Sequence, residues 1–139
     1  MNEDGEFDPV PKAPSHYHGD TVRAYFLIAA VLIFITRFIG AELPFSSGAQ
    51  MLLILTLVIL AGLTNPAQKM IHYANMLVSI AGVLTFSGLA FSRIETPEAL
   101  FSGAGLVVII ALVFLATLYF ATRTVRGLSV PHIHMPSED

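Results

Sequence analysis

The chain has 139 residues, enough for one domain, and is 55% hydrophobic and only 12% charged, with a mean hydropathy of +0.72. A soluble domain carries about 25% charged residues, so water is the wrong solvent for most of this sequence. The net charge of -3 is concentrated near the start, in Glu3, Asp4, Glu6 and Asp8, which argues against nucleic acid as a partner. Cysteine is absent, which excludes thiolate catalysis, disulfides, cysteine-ligated zinc and iron-sulfur centres.

Residues 1–20 mix acidic side chains with Pro9, Pro11 and Pro14 and bury little, so a mobile cytoplasmic tail is expected there. No basic region precedes the first apolar run, and the tail is expected to stay on the mature protein. Asp20 or Thr21 offers the capping oxygen for a helix over 22–39. Such a helix rises about 27 Å, close to the hydrocarbon thickness of about 30 Å.

Glu42 and Pro44 interrupt the apolar pattern, and Ser47 followed by Gln50 reads as a capping box for a second, shorter span over 47–63. Thr64-Asn65-Pro66 leaves room only for an antiparallel hairpin, with a capping side chain and a proline at the first helical position of a third span over 67–92. Thr96-Pro97-Glu98 repeats that start signal ahead of a fourth span over 100–122. Residues 127–139 read as a short polar tail. The expected fold is an all-α membrane protein, a four-transmembrane-helix up-down-up-down bundle over 21–126.

Lys12, Arg23, Lys69, Arg123 and Arg126 fall on the side shared by the two tails and the central turn, whereas the opposite connections hold only Arg37 and Arg93. Basic residues near span ends favour the cytoplasm, which places both termini there. Arg23, Tyr25, Lys69, Tyr73, Tyr119 and Arg123 are the expected interfacial anchors. The expected location is multi-pass in a prokaryotic cytoplasmic membrane.

The third helix has the most informative face. At about 100° per residue, Ala74, Ala81, Thr85, Gly88 and Ser92 share a stripe, with Asn75, Ser79 and Gly82 on the adjoining sector. Small and hydroxyl residues allow close approach of membrane helices, and the same sector would line a solute path if it faced a pore. Packing is the expected use. No Asp or Glu falls within a span, although proton- and cation-coupled carriers need such a group. Arg37, near the end of the first span, is expected to snorkel to the interface or pair with Glu42. His72 reads as an interfacial polar anchor.

Histidines provide the one ligand-like pattern. His16, His18 and Asp20 alternate in the first tail, and His132 and His134 alternate in the last. Brought together beneath the membrane they would suit zinc, copper or nickel, but no scaffold preorganises them, and no cofactor is expected. No nucleophile, base and acid set can be assembled from the remaining residues, so the protein is not expected to be an enzyme. The expected role is an accessory or self-associating membrane subunit, whose partners are the lipid bilayer and either itself or another membrane protein. The alternative is an oligomeric channel or transporter lined by the third helix.

Overall fold

The computed structural model describes residues 18–65 and 68–129. Their regular structure is entirely helical: α1 Gly19–Thr36, α2 Ser47–Leu63, α3 Lys69–Arg93, a short 3-10 turn Pro97–Phe101, and α4 Gly103–Ser129.

Each helix buries one stripe and leaves an apolar surface on its other faces. In α1 the buried positions are Val22, Phe26, Ala29, Ala30, Ile33 and Thr36, spaced by one helical turn. Its outward residues Leu27, Val31 and Phe34 are as apolar as the inward ones but remain exposed. The same holds for Leu52 and Leu55 of α2 and for Leu112 and Leu115 of α4. A helix that is hydrophobic all round belongs in lipid or in the core of a large protein, and this chain is too small to supply such a core. Three helices, α1, α3 and α4, are long and apolar enough to cross a membrane, whereas α2 has only 17 residues. The protein is by these features a helical membrane protein.

The helix starts differ in detail from the expected ones. The first helix begins at Gly19, not after Asp20 or Thr21, and no side chain caps it. Instead the His18 backbone amide donates to Thr124 Oγ1 at 3.3 Å, while Asp20 pairs with Arg23 at 3.5 Å. At α2 the cap is Ser46 rather than Ser47: its hydroxyl accepts from the Ala49 amide at 3.2 Å. Gln50 is thereby freed from the capping box and turns inward to α1. Pro66 and Ala67 lie outside the described residues, and α3 starts at Lys69. Pro97 opens the 3-10 turn and not the fourth helix, which begins at Gly103 after Ser102 has accepted from the Ala104 amide at 3.4 Å.

The packing order is not the chain order. α1 packs against both α2 and α4, and α3 packs against α4, but the consecutive helices α2 and α3 barely touch. At one end Gln50, early in α2, meets Thr36 at the end of α1; at the other, His18 meets Thr124 late in α4, and Asn75 of α3 meets Thr64 at the end of α2. Spatial neighbours therefore run antiparallel. At the centre Phe86 of α3 stacks on Phe114 of α4, with ring centroids 5.5 Å apart and planes 12° from parallel.

Candidate functional site

The inward stripe of α3 is His72, Asn75, Ser79, Gly82, Phe86 and Ala90, at steps of three and four residues. It contains three polar side chains, and their hydrogen bonds stay within the chain. Asn75 Nδ2 donates to Thr64 Oγ1 at 2.9 Å, and Thr64 in turn donates to the Leu60 carbonyl at 2.7 Å. Ser79 donates to the Asn75 carbonyl at 2.7 Å. His72 is 2% exposed and its ring bonds the backbone of Asn65, so it is an inward residue and not the interfacial anchor expected. Gly82 lies under the Phe114 ring.

The other half of the small-residue surface points elsewhere. Ala81, Thr85 and Gly88 are exposed, and nothing lies within 4 Å of the position a Gly88 side chain would take. The stripe and the adjoining sector thus separate in part: Asn75 and Ser79 turn inward, Ala81 and Thr85 border the gap left between α2 and α3, and Gly82 lies at the junction, under Phe114 and on the edge of that gap.

That gap is an apolar groove of about 330 Å³, with Ala49, Leu53 and Thr56 on one wall, Val78, Ala81 and Thr85 on the other, and Phe45 also contributing. Thr56 turns its hydroxyl back to the Leu52 carbonyl at 2.8 Å, so its wall is apolar as well. A second pocket of about 350 Å³ lies at the end of α1 and is polar, lined by Thr36, Arg37, Glu42 and Gln50 among others. Phe45 borders both spaces.

Gln50 anchors the polar pocket. Its amide is 7% exposed and donates to the Ile33 carbonyl at 2.7 Å and to Thr36 Oγ1 at 3.0 Å. Gly40, with φ +69°, reverses the chain after α1 in a conformation that side chains disfavour. Arg93, at the end of α3, donates to the Glu42 carbonyl and ties this loop to the third helix. Arg37 does not pair with Glu42; among the described residues the only ion pair is Arg23 with Asp20. Sequence reasoning assigned Gln50 to a cap and missed Phe45 and Phe114; a lone amide inside the apolar run of α2 was the available signal for Gln50.

Of the histidine group, His16, His132 and His134 lie outside the described residues. His18 and Asp20 are adjacent to the start of α1, and no cluster of three or more metal-binding side chains occurs among the described residues. The His18 ring rests 5.6 Å from Phe120, on which Tyr25 also stacks at 5.8 Å. Tyr73 and Tyr119 are exposed, as are Arg23, Lys69 and Arg123. In the turn before α4, the Glu98 carboxyl is held below its ordinary range by its own backbone amide and by the Thr96 hydroxyl.

Comparison with protein-family models, with curated proteins and with solved structures gives no match.

Proposed function

We propose that the protein is a four-span integral membrane protein with both termini in the cytoplasm of a prokaryotic cell, acting without catalysis as an accessory or self-associating subunit. The observation that carries this reading is how the polar groups of the spans are used. Asn75, Ser79, Thr64, Thr36 and Gln50 bond to one another or to backbone carbonyls, and the faces turned outward are apolar. A protein built in this way acts through its outer surface. The ridge formed by Leu77, Leu84 and Phe91, with Gly88 beside it, is the surface of α3 available for another membrane helix.

The channel reading needs the Asn75, Ser79 and Gly82 sector to line a path, and the internal bonds of that sector favour packing instead. A reporter fused after Asp139 tests the orientation, and a cytoplasmic signal is expected. Light scattering on the detergent-solubilised protein, together with identification of what co-purifies with a tagged chain from membranes, tests the role. A monomer that travels with no other membrane protein would overturn it.

A further inference from the structure

We propose that the protein holds one zwitterionic glycerophospholipid, with its head in the polar pocket beside Arg37 and Glu42 and one acyl chain in the groove between α2 and α3. The proposal rests on the membrane reading and is independent of orientation and of subunit role.

The groove exists because α2 and α3, although consecutive, barely touch, and the small side chains of Ala49 and Ala81 and the bare backbone of Gly82 leave the space between them open. In a bilayer such a space does not stay empty: an unfilled void loses its dispersion contacts, and water there would find only the hydroxyls of Thr56 and Thr85 among mostly apolar walls. An acyl chain matches both the lining and the surroundings. Chain filling alone would be ordinary solvation by lipid. What makes this a site is the polar pocket on the other side of Phe45, which a molecule with an apolar tail and a polar head can occupy at the same time.

The charges of that pocket select the head. Arg37 and Glu42 both line it without pairing to each other, so neither is committed to the other. A guanidinium offers forked donors to a phosphodiester, and a carboxylate accepts from an ammonium. A purely anionic head would leave the Glu42 carboxylate facing like charge, whereas a zwitterion answers both groups. The pocket lies just past the end of α1, beside the connection that carries Glu42 and Pro44. Gln50 and the Arg93 contact to the Glu42 carbonyl hold its walls in place. Each space is near the lower bound of roughly 300 Å³ for small-molecule sites, as expected for a head and one chain accommodated separately.

The test uses the full chain, purified in mild detergent, delipidated and offered dioleoyl phosphatidylethanolamine and dioleoyl phosphatidylglycerol, with bound lipid counted by native mass spectrometry. One phosphatidylethanolamine per chain is expected, in preference to phosphatidylglycerol. Arg37→Gln should weaken retention roughly threefold, as suits a partly exposed ionic contact. Glu42→Gln should erase the preference between the two lipids. Thr85→Leu, or Ala81→Leu as a second groove-filling change, should abolish retention, while Leu27→Ala on the outward face of α1 should not alter it. Equal retention of both lipids by the unaltered protein, or a bound lipid that survives both groove-filling changes, would overturn the proposal. So would disulfide-linked pairs formed efficiently by Thr85→Cys in this cysteine-free chain, since a second copy would then occupy the groove. Loss of the unaltered protein from the membrane fraction would instead overturn the membrane reading itself.

Discussion

Gly82 of α3 lies directly beneath the ring of Phe114 in α4: a Cβ built on this glycine would fall 2.3 Å from Phe114 Cδ1. The ring is fully buried and stacked on Phe86, so giving way would mean leaving that stack for the groove it borders. In an isolated helix, Gly→Ala is favourable by up to about 1 kcal/mol. Here that gain should be outweighed by overpacking, typically about 1–3 kcal/mol. Gly82→Ala is expected to lower stability in reversible unfolding, and Phe114→Leu in the same chain should recover part of the loss. Gly88→Ala, with nothing near its added methyl, should be neutral or mildly stabilising.

The Asn75 to Thr64 hydrogen bond joins the two helices that otherwise hardly touch. Bonds of this type in membrane proteins contribute about 0.6 kcal/mol on average and up to about 1.7. A double-mutant cycle with Asn75→Ala and Thr64→Val should return a coupling within that range. Zero coupling would mean that the bond contributes nothing to holding α3 beside the end of α2.

Gln50 is the lone amide in an apolar helix and bonds α1 twice. Gln50→Leu should be tolerated, because Thr36 retains its own bond to the Ile33 carbonyl at 2.6 Å and a leucine can fill the volume. Gln50→Ala should cost more, about 1–3 kcal/mol, because it also leaves a cavity. Thermal unfolding of the two variants distinguishes a packing role from a hydrogen-bonding one: if the alanine variant is no less stable than the leucine one, volume is not what matters.

Glu98 provides a pH handle outside the spans. Its folded pKa lies below the ordinary 4.5 because its own amide and the Thr96 hydroxyl bond the carboxylate. The resulting stabilisation is complete above the unfolded value and fades as pH falls through the folded one. An NMR titration of the side-chain carboxyl should therefore show a midpoint below that of a free glutamate, and Thr96→Val should move it upward. An unchanged midpoint in Thr96→Val would remove the hydroxyl from the explanation.

Two of the differences between expectation and structure have the same origin. Ser46 and Ser47 are equally good caps by residue type; with Ser46 as the cap, Gln50 takes no part in a capping box and bonds across the helix pair instead. On α3, the stripe of small residues and its polar neighbours are similar in composition. Which of them turned inward was decided by the bulk of Phe114, which needs the bare backbone of Gly82 opposite it.

By itself the sequence showed an apolar, all-helical chain with four helices, and roughly where they are interrupted. Those depend on local quantities: runs of apolar side chains, prolines that cannot continue a helix, and the scarcity of charge. Only the tertiary structure decided that the helices pack out of chain order, that α2 and α3 stand apart around a groove, and that Arg37 and Glu42 share a pocket without pairing. Helices that are apolar on every face carry no strong preference for which side turns inward. That choice falls to shape, to a glycine under a phenyl ring and to a few hydrogen bonds between helices, none of which is visible until the helices meet.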